Sequence, residues 1–188
     1  MNALLLTQDA PVLLSGIGAV VLLTAAPVFR TRRTILLTQL AAGACFAAHY
    51  SFLGVTVAAA VNMLGLLQTG AALFSSRNST MTWLGYGLIV QMILVCLAFW
   101  QGPISALSMI AMVLIAFGRM QSDQVRLRIL LLAGGSLWIM HDFLAEAWIA
   151  LAADIGAFVL GSVALASLLV RIRIEWRPAM TAANQPAV

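Results

Sequence analysis

The chain has 188 residues, of which 63% are hydrophobic and only 9% are charged, with a mean hydropathy of +1.03. Soluble domains carry about a quarter charged residues, so an ordinary soluble globular domain is excluded. The net charge of +4 sets ten arginines against six acids, with no lysine at all; this removes a Schiff-base lysine of the retinal-protein kind, and no basic stripe with interleaved aromatics speaks for nucleic acid.

No positive charge precedes the first apolar run, while Arg30, Arg32 and Arg33 follow it. That order predicts an uncleaved first span with the N-terminus outside. Runs of roughly 20 apolar residues cross a bilayer as helices, and seven are expected: Pro11–Phe29, Thr34–Phe52, Val55–Phe74, Met81–Trp100, Pro103–Gly118, Leu127–Ala145 and Ala147–Val170. The fifth is short. Turns near Gly54 and Glu146 join the second span to the third and the sixth to the seventh. Long Ala/Leu-rich runs without period-two alternation speak against strands.

In this seven-span reading all ten arginines fall on one side: three after span one, Arg77 after span three, Arg119, Arg126 and Arg128 around the fifth connection, and Arg171, Arg173 and Arg177 after span seven. Such a bias puts the C-terminus in the cytoplasm. Trp100 and Trp176 suit interfacial belts, and Asn78-Ser79-Thr80 reads as turn chemistry. Cys45 and Cys96 read as small core residues. The tail from about 178 to 188 is expected to be disordered.

A shift of 92 residues aligns uncommon landmarks: Pro11 with Pro103, Phe46 with Trp138, His49 with His141, and Asn62 with Asp154. "LAAGACFAAHYSFLG" and "LAGGSLWIMHDFLAE" share an Ala/Gly-rich run into an aromatic and a histidine. The shift maps span one to five, two to six and three to seven. It predicts an all-α membrane domain with repeat one at about 11–76, a linker helix at about 81–100 and repeat two at about 103–171. The three-helix units are then parallel, an arrangement that places a substrate site between them.

This 3+1+3 pattern resembles the SWEET, PQ-loop and PnuC-type transporters. In length and in its arginine-bracketed histidine hairpins the chain looks most like the YgjV-type bacterial inner-membrane proteins. In the sugar-transporting SWEET relatives, asparagines on the third helix of each unit contact substrate, and by position the resemblance implies Asn62 and Asp154 here. Those relatives carry kinking prolines, often in Pro-Gln pairs; here only Pro27 is comparably placed and the spans hold no Pro-Gln pair. That departure weighs against the same gate and against sugar as the substrate.

Asp154 stands about eight residues past the turn at Glu146, roughly 12 Å into the hydrocarbon. A carboxylate there costs at least about 2.5 kcal/mol, so it should face a cavity or a partner. His141, on the neighbouring helix, is expected to pair with it, and His49 with Asn62. The bland alternative is a static interhelical hydrogen bond, worth under about 2 kcal/mol. Phe46 and Trp138, three residues before the histidines, could sandwich a ring. Gln68 could line the same path as Asn62, while Gln39 and Gln91 read as packing amides. Asp142 and Glu146 are expected at a solvated outer rim. Gly65, Gly70, Gly156 and Gly161 read as packing residues.

The expected function is transport of a small polar solute (sugar-, nucleoside- or metabolite-like), with proton coupling as the finer expectation and a cationic or hydrogen-bond-donating solute suiting Asp154. The bilayer is the one certain partner, and self-association is left open. No cofactor and no enzymatic activity are expected, since intramembrane metallohydrolases of seven spans use three histidines and this chain has two. The competing expectation is a non-transporting assembly or regulatory protein whose buried polar pairs only specify packing.

Overall fold

The computed structural model describes residues 10–54, 56–100 and 102–183. Among them run seven helices: α1 (Ala10–Ala25), continued by a 3₁₀ turn at Ala26–Val28, α2 (Arg32–Phe52), α3 (Thr56–Ser75), α4 (Ser79–Ala98), α5 (Pro103–Met120), α6 (Gln124–Leu144) and α7 (Trp148–Ala183). All seven are long and apolar enough to cross a membrane. The fifth span is longer than expected, ending at Met120; its 18 residues reach about 27 Å at 1.5 Å each. The helix α7 is continuous to Ala183, and residues 184–188 of the expected disordered tail lie outside the described residues, as do the side chains of Trp176 and Arg177.

Local chemistry sets the helix ends. Thr31 caps α2 by accepting from the Thr34 amide at 3.2 Å, and Asp123 caps α6 by accepting from the Arg126 amide at 2.8 Å. Asn78, expected as turn chemistry, caps α4 through the Thr80 and Met81 amides. Each cap satisfies a helix N–H that has no intrahelical partner. At the other end of α2, the Leu53 amide donates to the His49 carbonyl and Gly54 has φ 72°. At the end of α6, the Ala145 amide donates to the His141 carbonyl and Glu146 has φ 55°. Both caps and both turns are 92 positions apart. Glu146, though not a glycine, holds the left-handed conformation that Gly54 adopts freely.

In the N-terminal trio α1–α3, α2 packs against α1 and α3, and in the C-terminal trio α5–α7, α6 packs against α5 and α7. The trios meet through α1 against α7 and α3 against α5, and α4 packs on α3 and α5. Large apolar side chains such as Leu14, Val21, Trp83, Val163 and Ile174 point outward, as a lipid solvent requires. Buried positions are mainly small or polar, apart from a core of Leu36, Ala72, Ile89, Met92, Ala116 and Met120 between α2, α3, α4 and α5.

Close helix approach is most demanding at Gly134. A Cβ there would sit 2.5 Å from Ile115 Cγ1 and 2.9 Å from the Ala111 carbonyl, whereas one at Gly135 meets nothing within 4 Å. Gly134→Ala is therefore expected to destabilise the α5–α6 pair by about 1–3 kcal/mol, and Gly135→Ala to be neutral. Equal effects of the two in a denaturation series would refute this packing.

Candidate functional site

A cavity of about 1190 Å³ lies between the two trios, with lining residues from α1, α2, α3, α5, α6 and α7. Drug-sized sites are typically about 300–1,000 Å³, so it is roomy enough for a small metabolite and its water. The arginine-bearing helix ends contribute Pro27, Gln39, Arg119 and Arg128 to its lining. The opposite ends contribute His49, Tyr50, Trp138, His141, Asp142, Glu146 and Asp154, with Asn62 on α3.

At the arginine end, the sequence reading recognised only topology markers. The structure puts two of them to work as clamps. Arg32 donates from Nε to the Gln121 carbonyl at 2.7 Å, and from Nη2 to the Arg119 carbonyl at 2.8 Å and the Ala72 carbonyl at 2.7 Å. Arg128 donates from Nη1 to the Pro27 carbonyl at 2.7 Å and from Nη2 to the Phe29 carbonyl. Carbonyls 119 and 121 stand 92 positions after carbonyls 27 and 29. Each trio thus lends an arginine to the C-terminal end of the other trio's first helix. Those carbonyls lack intrahelical partners and lie at the negative end of the helix dipole. A third link joins the trios where Arg119 Nε donates to Gln39 Oε1 at 2.9 Å. Gln39, expected as a packing amide, is buried and is that arginine's acceptor.

At the opposite end, the expected His141–Asp154 pair gives way to a different arrangement. His141 Nδ1 lies 2.9 Å from Asp142 Oδ1; because a carboxylate oxygen accepts, Nδ1 is the donor. Asp142, expected at a solvated rim, is only 4% exposed, since α6 turns it inward one position after the histidine. Asp154 stands within side-chain hydrogen-bonding reach of Asp142 and is half-buried. Asp142 Oδ2 is buried with no hydrogen-bond donor. Two unit charges about 4 Å apart repel by about 4 kcal/mol at a protein's effective dielectric, so such a pair needs a proton or a cation between its oxygens. Glu146 is exposed at the cavity mouth, as expected.

In the first trio the expected His49–Asn62 pair does not form. His49 Nδ1 donates to the Val12 carbonyl at 2.9 Å, its ring seated where a Cβ on Gly16 would come within 3.0 Å. Asn62 Nδ2 donates to the Ala58 carbonyl of its own helix at 2.9 Å. Both still line the cavity. Gln68 does not line it; it is fully buried and donates to the Ala116 carbonyl at 2.9 Å, joining α3 to α5. Phe46 stacks on Tyr50 at 6.4 Å and Trp138 meets the His141 ring edge-on at 5.0 Å, so each aromatic leans on its own helix while lining the cavity. Tyr50, which the sequence reading passed over, lies near Asp142 across the trio boundary; it stands 92 positions before it, a match between unlike residues that identity does not reveal.

The clamp makes a stability prediction. Arg32→Met strands carbonyls at the ends of α3 and α5 and should cost about 3 kcal/mol, while Arg32→Lys, which keeps charge but loses the planar fork, should fall between. Denaturant titration of the purified variants checks the order; wild-type stability in Arg32→Met would contradict it.

The Imp-YgjV family model, described as bacterial inner membrane protein, matches residues 12–172, and the chain belongs to that family. It is accordingly an integral, multi-pass protein of the bacterial inner membrane. No curated protein and no solved structure matches it.

Proposed function

We propose that this Imp-YgjV family member is a carrier, rather than an enzyme, for a small polar solute bound between two parallel three-helix repeats. The observation that carries the reading is the cavity itself, lined mostly by apolar side chains with polar and aromatic ones from both trios among them. The corresponding caps, turns and clamped carbonyls at a spacing of 92 support a duplicated unit, and duplicated units with a site at their interface are a recurring transporter design. With the N-terminus outside, the clamps close the cytoplasmic end and the carboxyl end faces the outer side. Delivery then requires the trios to rock until Arg32 and Arg128 release their carbonyls.

A second reading is a non-transporting assembly or regulatory protein. It is favoured by the backbone hydrogen bonds of His49 and Asn62, which leave those groups as packing elements. A thermal-shift screen of purified protein against small metabolites separates the two. A ligand at 100 times its dissociation constant adds about 2.7 kcal/mol of apparent stability. On the carrier reading a hit vanishes in Asn62→Ala/Asp154→Asn, and the hit compound is taken up by proteoliposomes. On the packing reading no compound stabilises the protein, and the double variant is merely less stable.

Proton coupling, the finer expectation, draws on the Asp154 carboxyl, which faces Asp142, with Tyr50 and His141 around that acid. Asp154→Asn is expected to change the pH profile of uptake, whereas Asn62→Ala should weaken binding with the profile kept. Superimposable profiles for wild type and Asp154→Asn would remove the coupling.

A further inference from the structure

The outer-rim reading of Asp142 fails for a reason that itself points to a ligand. A carboxyl that is 4% exposed carries one oxygen on His141, and the other has no partner besides the neighbouring Asp154 carboxyl, itself an acid. Buried polar oxygens are nearly always satisfied, and an orphan calls for an explanation. Here the orphan belongs to a residue lining the cavity, beside a second carboxyl on the facing helix α7.

Among the described residues no arginine forms an ion pair with either acid. The cavity's own cations are committed elsewhere: Arg119 to Gln39 and Arg128 to the Pro27 and Phe29 carbonyls. Arg128 and His141 are thirteen positions apart on α6, roughly 20 Å along the axis. The acid end of the cavity therefore has no arginine to neutralise it. A bare metal ion is a poor match, because no group of three His, Cys, Asp or Glu side chains stands ready to hold one among the described residues. The space is also far larger than an ion, and Tyr50 and Trp138 line it near the acids. Aromatic faces beside carboxylates suit a cationic head on a carbon body.

We infer that the cavity binds an organic cation, its protonated amine held at the Asp142–Asp154 carboxyl pair, with its apolar part against Tyr50 and Trp138. The inference names the solute class for the carrier proposed above and rests on that reading only for movement, not for binding. Its occupant supplies N–H donors and a positive charge to two facing carboxyls that otherwise have only a shared proton to relieve them.

The test uses the full chain in nanodiscs and three probes of matched shape: phenethylammonium, neutral phenethyl alcohol and anionic phenylacetate. The cation should raise the thermal midpoint saturably, with an apparent affinity at least tenfold tighter than the alcohol and no response to the anion. Asp142→Asn and Asp154→Asn should each weaken the cation at least tenfold and leave the alcohol unchanged. Equal affinities for cation and alcohol in the wild type, or silence with all three probes, would overturn the site whether or not the variants fold. Proteoliposome uptake separates the two proposals. Cation binding without uptake sinks the carrier and leaves the site standing. Uptake of neutral solutes by a protein that ignores the cation sinks the site and leaves the carrier.

Discussion

Everything in this structure depends on how two sets of helix ends satisfy each other. A helix ends with carbonyls that have no N–H partner, and a membrane interior offers little water to replace one. The first helix of each trio meets that constraint with an arginine from the other trio: Arg128 on the carbonyls of Pro27 and Phe29, Arg32 on those of Arg119 and Gln121. Lipid supplies no hydrophobic force to hold apolar helices together. Directional, charge-assisted bonds therefore carry much of the burden of joining the trios. The cavity can persist because its walls are fixed at one end rather than packed shut along their length.

The clamps also show why a positive-inside bias is an incomplete account of the arginines. All ten read as topological markers, and Arg30, Arg33 and Arg171 have the exposure that role requires. Arg128, 5% exposed, does not. Nothing in the one-letter code separates it from Arg126, two positions earlier, because its partners are backbone carbonyls, which carry no residue identity. The same blindness hides Gln39 and Gln68, whose amides link helices through partners 80 and 48 residues away. The seven helices, by contrast, were legible, though not the ends of α5 and α7. Their apolar length and the turns at Asn78 and Gly54 are local properties, and local properties are what a sequence displays.

The candidate site lies between these cases. Depth along a helix follows from residue count, which sets Asp154 and His141 on either side of the same turn. Azimuth does not follow from it. Successive residues of a helix point about 100° apart, and that angle decides whether His141 meets the acid across the hairpin or its own neighbour. It meets Asp142 and swings that carboxyl off the surface towards α7. The resulting trio of His141, Asp142 and Asp154 differs from the expected pair by one residue, and that residue supplies the orphan oxygen.

The two ends of the cavity thus differ in more than sign. At one end the charged groups are largely partnered: both clamping guanidiniums donate to carbonyls and Arg119 bonds an amide, although Arg128 Nε is buried without an acceptor. At the other end Asp142 Oδ2 is buried with no partner besides the neighbouring Asp154 carboxyl. Arginines engaged with carbonyls hold shape, whereas a carboxylate beside a second one stays costly until a proton or another positive charge lies between them. The asymmetry between Asn62 and Asp154 points the same way. The asparagine closes its hydrogen bond within its own helix, and the aspartate, at the corresponding position 92 residues on, is left to face an acid. Shape is thus held mainly by arginine–carbonyl bonds at one end, and the uncompensated acids stand at the other.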